Sequence, residues 1–169
     1  GDNTRIAGPN TAIAVNDIVF WMGQENFYLY DGRIQAIPCT VRDYVFSDMN
    51  NQQSFKFHVG SIASQTEVWW YYCSSSSSEI DRYVVYNYGQ QVWYYGELVR
   101  TAWNDRASGL RSFPQATGVD TYLYDHENGD DDFSTGSAVA INAFVESSDF
   151  DIGDGQQFML VNRIIPDLT

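Results

Sequence analysis

Residues Thr66 to Arg100 read TEVWWYYCSSSSSEIDRYVVYNYGQQVWYYGELVR. The stretch reads as three strands in a row, with Trp69, Trp70, Tyr71, Tyr72, Tyr83, Tyr86, Tyr88, Trp93, Tyr94 and Tyr95 crowded onto them. Strands joined by connections this short pair as antiparallel neighbours, so the reading is a β-meander, the unit of propeller blades and sandwiches. In EVWWYY alternate residues point to opposite faces, which puts Trp69 and Tyr71 on one side and Trp70 and Tyr72 on the other. Both sides are apolar. A sheet packed between two others fits that pattern better than one with a wet face.

Weaker copies flank this segment. Asn26–Gly32 (NFYLYDG) and Thr121–Gly129 (TYLYDHENG) repeat the order aromatic, aliphatic, Tyr, Asp or Asn that Tyr83–Asn87 (YVVYN) also carries. Asp17–Gly23 and Asn26–Gly32 read as a hairpin whose Asp31-Gly32 turn allows Arg33–Ile37 to return as a third strand. After Pro38 the period changes: Val41, Tyr44, Val45 and Met49 form a helical stripe, with Thr40 as N-cap and Asp43 three places on, so a short helix is predicted within 41–52. Phe55–Ser64 returns to strand, its alternation broken at Gly60. Ser74–Ser78, five serines in a row, is predicted to be a mobile, solvated tip. Beyond Trp103 an irregular stretch runs to Phe113, then Pro114–Gly118 and Thr121–Asp125 form another hairpin, and Ala138–Glu146 and Gln157–Ile165 read as strands.

The fold class is therefore all-β: antiparallel meanders forming blades of a partial β-propeller, with one short helix. The whole chain, 1–169, reads as a single β-rich domain, with blade-like units near 13–37, 55–100 and 114–165. Propeller repeats span about 40 to 50 residues and rings have at least about four blades. The chain is accordingly expected to be a segment of a longer polypeptide or a processed one.

Composition narrows the function. Nine Lys and Arg against 22 Asp and Glu give a net charge of −13, with Lys56 the only lysine. Such a chain repels phosphate backbones, so sequence-reading or coating of nucleic acid is disfavoured, while DNA could slide past without adhering; plain solubility or adaptation to salty water is the preferred reading of the charge. No apolar run approaches the roughly 18 residues that span a bilayer. Cys39 and Cys73, the two cysteines, read as small buried hydrophobes rather than a disulfide framework.

Catalytic patterns are sparse. The two histidines, His58 and His126, lie in no serine-hydrolase motif, and no zinc spacing links them to the cysteines. His58, between Phe57 and Val59, reads as a structural strand residue. Asp125, Glu127 and Asp130–Asp132 form one acidic cluster, and Asp149, Asp151 and Asp154 another. Oxygen-only clusters beside glycine suit Ca²⁺. The second misplaces its third ligand relative to an EF-hand loop and lacks the closing Glu, so solvated acidic turns are the preferred reading. No catalytic, cofactor or metal residue is assigned, and no enzyme activity is expected.

Taken in order, VFWMG at Val19–Gly23, FYLYDG at Phe27–Gly32, PCTV at Pro38–Val41, DYVF at Asp43–Phe46, EVWWYY at Glu67–Tyr72, SEIDRYVVYNY at Ser78–Tyr88, RTAW at Arg100–Trp103 and QFMLVNRIIPD at Gln157–Asp167 form a series. It resembles the β-propeller-bearing tail hub or nozzle proteins of tailed bacteriophages, the DNA-stabilisation or tail tubular group. The resemblance covers nearly the whole chain, although members of that group are several times longer. It implies a virion structural protein without catalysis, assembled in the host cytoplasm as a ring, usually a hexamer. That ring lines or closes the DNA exit channel below the portal, beside other tail and portal or adaptor proteins, with no membrane partner. Aromatic rows on strands also suit a carbohydrate- or host-receptor-binding propeller module, and paired aspartates a glycosidase; these are the competing readings.

Overall fold

The computed structural model describes residues 4–105, 113–120, 122–133 and 136–141. The chain divides into two compact units, Gly1–Asn128 and Gly129–Thr169. The described part of the second unit holds one short ladder, Asp131–Asp132 against Val139–Ala140. Of the predicted Ala138–Glu146 strand, residues 142–146 lie outside the described residues, as do Gln157–Ile165 and the Asp149–Asp154 cluster.

The described part of the first unit is all-β apart from short helices, built of antiparallel sheets whose strands follow chain order. Sheet 1 comprises β1 (Ala12–Val15), β2 (Ile18–Met22), β3 (Phe27–Tyr30) and β4 (Ile34–Ala36). The predicted hairpin is there, and Gly32 takes a φ of 114° in the turn that returns β4. The strand before it was not anticipated. Asn16 (φ 49°) and Asp17 (φ 64°) form a two-residue loop with both φ positive, the type I′ pattern whose twist matches paired strands.

Sheet 2 comprises β5 (His58–Ile62), β6 (Glu67–Tyr72), β7 (Arg82–Asn87) and β8 (Val92–Glu97). All six residues of β6 are buried, so both of its faces are covered. Sheet 3 has three strands: β9 (Ala102–Asn104), where no strand is predicted from the sequence, then β10 (Gln115–Thr117) and β11 (Leu123–Asp125).

The three sheets stack in chain order. Sheet 1 turns Phe20, Met22 and Phe27 inward; Phe27 meets Trp70 at 4.9 Å and Trp93 at 4.6 Å between ring centroids, and Phe20 meets Tyr86 at 6.3 Å. The indole N–H of Trp70 donates to the Thr11 carbonyl at 3.0 Å, which satisfies its one polar atom in the core. On the opposite side of sheet 2, Trp103 of β9 stacks at 5.9 Å from Trp69 and 5.7 Å from Tyr71. The three sequence echoes occupy equivalent places: Tyr30, Tyr86 and Tyr124 each lie on the third strand of their sheet. The Asp or Asn that follows each tyrosine accepts a hydrogen bond near the strand end: Asp31 from Gln35 (2.9 Å), Asn87 from the Gln90 backbone (2.8 Å) and Asp125 from Gln115 (2.7 Å).

The register leaves the far face of sheet 1 with Ala12, Ala14, Val19, Trp21, Tyr28, Tyr30, Ile34 and Ala36. The far face of sheet 3 carries Ala102, Asn104, Gln115, Thr117, Leu123 and Asp125. One is uncharged and apolar, the other mixed and polar.

The predicted helix is shorter than 41–52. It is α1 (Arg42–Ser47), followed by a 3-10 helix at Asn51–Lys56. Val41 rather than Thr40 occupies the N-cap, and no side chain caps it. Asp43 instead pairs with Arg42 at 2.9 Å. Met49 bridges to Ser74, and the Asn50 N–H donates to the Cys73 carbonyl at 2.9 Å, so pairing with the loop after β6 ends the helix.

Candidate functional site: the aromatic seam and the serine loop

Two polar groupings stand out against this core. The first lies on the sheet 3 side of sheet 2. Glu67, 6% exposed, accepts from the Trp69 indole N–H at 3.0 Å and from the Tyr94 hydroxyl. A buried carboxylate is costly unless charge-assisted hydrogen bonds replace its water, and these two donors do so. Burial, with the hydrogen bond to Glu67, pushes the Tyr94 phenol well above its ordinary value. Tyr71 is fully buried, and burial raises its phenol too, although the Arg100 charge opposes this.

Both histidines join the same seam. His58 stacks on Tyr71 with centroids 4.8 Å apart. Burial lowers its pKa against a smaller opposing pull from the Lys56 carbonyl. His126 meets Trp103 at 4.9 Å and accepts from the Arg100 Nε–H at 2.9 Å. Burial first, then the Arg100 charge, brings it down to about 4. Arg100 also sits 4.1 Å over the Tyr124 ring. Both imidazoles are thus neutral at pH 7, each held by packing plus one hydrogen bond, His58 to the Lys56 carbonyl and His126 from Arg100. Burial raises both thiols, Cys39 and Cys73, to about 11, and they are free and protonated.

The second grouping corrects the reading of Ser74–Ser78. The segment is pinned rather than loose. Ser74 is fully buried, and its N–H and hydroxyl each donate to the Asp81 carboxylate at 2.7 Å. The Ser75 hydroxyl donates to Asp48 at 2.7 Å, and Asn50 Nδ2 to the Ser77 carbonyl at 2.8 Å. Lys56 Nζ donates to the Ser78 carbonyl at 2.7 Å and pairs with Glu79 at 2.5 Å. Arg82 lies among Glu97 (3.2 Å), Asp81 (3.5 Å) and Asp48 (3.7 Å). Serine hydroxyls beside fixed carboxylates find acceptors, and the run is ordered by its neighbours rather than by its own packing.

None of the five tryptophans is exposed, so the aromatic rows are packing surfaces. Asp125, Glu127 and Asp130–Asp132 are exposed, and among the described residues no three His, Cys, Asp or Glu side chains come together to hold a metal ion. Among the described residues, no helix is long and apolar enough to cross a membrane. Compared with known proteins, the chain matches no family model and no curated protein.

Proposed function

We propose that this chain is a structural subunit of a bacteriophage tail hub or nozzle, without catalysis. In this reading its stacked sheets are blades of a propeller, repeated in several copies, as a hexameric ring, around the channel through which packaged DNA leaves. The observation that carries it is β6: six consecutive buried residues, with Trp70 packed on one neighbouring sheet and Trp69 on the other. An interior strand covered on both faces by successive meanders is what a blade between blades requires. The ordered series of motifs supports the family, and the net charge of −13 suits a wall past which DNA slides without sticking. Neutral histidines and protonated thiols agree with a scaffold role. A reconstruction of the assembled particle tests it, by the position and copy number of this chain about the tail axis.

One observation favours the carbohydrate-binding alternative. Tyr44 and Tyr95 are both exposed and their rings lie 4.0 Å apart, forming a small surface platform. Glycan-array binding that Tyr95→Ala abolishes would establish that reading; silence on the array leaves the scaffold reading in place.

A further inference from the structure

Asn128-Gly129 is the only Asn-Gly pair in a chain of eleven asparagines. A glycine has no Cβ to shield its amide, so its nitrogen can reach the side-chain carbonyl carbon of a preceding asparagine wherever the backbone is free to turn. Here the backbone is free. Ahead of the pair the last backbone hydrogen bond runs from the His126 N–H to the Pro114 carbonyl (2.8 Å), and beyond it the next reaches the Asp130 carbonyl from the Ile141 N–H (3.4 Å). Asn128 and Gly129 are both exposed, Gly129 takes a φ of 87°, and a Cβ placed on it would meet nothing within 4 Å. Among the described residues, none holds the Asn128 amide or the Gly129 N–H by a hydrogen bond.

Comparable groups elsewhere are held. Asn50 donates to the Ser77 carbonyl at 2.8 Å and accepts from the Gln52 N–H at 3.2 Å. Asn87 donates to the Gln65 carbonyl at 3.1 Å and accepts from the Gln90 N–H at 2.8 Å. The Asp31-Gly32 turn has the same kind of positive-φ glycine, but both Asp31 oxygens accept from Gln35, at 2.9 and 3.0 Å.

We infer that Asn128-Gly129 is a self-modifying site, at which the asparagine deamidates through a cyclic imide. The Gly129 nitrogen gives up its proton to solvent and bonds to Asn128 Cγ; the Cγ–Nδ2 bond breaks and the amide nitrogen leaves as ammonia, closing a succinimide ring. Water then opens the ring at one carbonyl or the other, leaving aspartate, or isoaspartate with the main chain routed through the former side chain. No oxidant, cofactor or enzyme enters the balance. Each event adds one negative charge to a loop that already carries Asp125, Glu127 and Asp130–Asp132, in a chain of net charge −13. Isoaspartate also lengthens the backbone there by one methylene. The site belongs to the chain itself and stands apart from the tail reading.

Peptide-mapping mass spectrometry tests it, on the whole folded chain kept in warm, mildly alkaline buffer beside the same chain unfolded in urea. Residue 128 is expected to convert in the folded chain about as fast as in urea, and to become a substrate for isoaspartyl methyltransferase. Asn50 and Asn87 stay amides in the folded chain. Hydroxylamine, which cleaves succinimides, splits the folded chain after residue 128. Asn128→Gln and Gly129→Ala, both at exposed positions, lose the conversion and the cleavage while circular dichroism holds. Residue 128 staying an amide in the folded chain while it converts in urea overturns the inference. So does conversion no faster at Asn128 than at Asn50 and Asn87, or conversion unchanged in Gly129→Ala.

Discussion

Gly60 and Trp103 fit so closely that a Cβ on residue 60 would lie 2.1 Å from the indole Cδ1. The break in alternation at Gly60 thus makes room for the side chain that joins sheet 3 to sheet 2, and the indole N–H donates to the Ser61 carbonyl at 3.1 Å. Gly60→Ala is expected to destabilise by about 2 kcal/mol, within the overpacking range, by pushing Trp103 off Trp69. In a denaturant double-mutant cycle the same change made in Trp103→Ala should cost far less, because the clash is gone.

Tyr94→Phe removes one of two donors to the buried Glu67 carboxylate and is expected to cost about 1 to 2 kcal/mol. It also changes the alkaline limb. The Tyr94 phenol is raised in the folded state above its ordinary value near 10, so the unfolded chain loses that proton first. This contribution to stability is whole below pH 10 and is lost as pH climbs above it. Chemical denaturation at successive pH values should show a shallower alkaline decline in Tyr94→Phe than in the parent.

His126 acts on the other side of neutrality. Its folded pKa of about 4 lies below its ordinary 6.5, so between those values the unfolded chain takes up a proton that the folded chain refuses. Stability therefore falls as pH drops from 6.5 towards 4. His126→Gln is expected to flatten that part of the Tm profile. Histidine C2-proton NMR titration of the folded chain reads the same quantity directly, with a midpoint near 6.5 contradicting the burial and Arg100 contact.

In the serine segment, Asp81→Asn leaves shape intact, weakens one of the two 2.7 Å bonds to Ser74 and takes the acceptor from the other. The expected loss is about 1.5 to 3 kcal/mol, the range for hydrogen bonds to a charged group. Amide exchange at Ser74 and Ser77 should accelerate. Ser76→Ala, at an exposed position, should stay within about 0.5 kcal/mol of the parent.

What the sequence made visible was periodicity. The two-sided apolarity of Glu67–Tyr72 foretold a strand covered on both faces, and the Tyr30, Tyr86 and Tyr124 echoes fell on equivalent strands. Local signals shorter than a period were harder to read. Ala12–Val15 has no clear signature because the positive-φ turn after it is made by Asn16-Asp17 without a glycine, and Ala102–Asn104 is only three residues long. Ser74–Ser78 misled for another reason: composition describes a segment's own side chains, whereas Asp48, Asn50, Lys56 and Asp81 hold it from elsewhere in the chain. The polar seam of Glu67, Tyr94, His126 and Arg100 had no sequence signature, since its members come from four separate segments.

The tail-hub account is tested most directly by cryo-electron microscopy of the assembled virion, with symmetry determined rather than imposed. It predicts this chain in several copies arranged as a ring about the tail axis below the portal, acidic surface towards the DNA. A single copy away from that axis, or a virion without the chain, would contradict it.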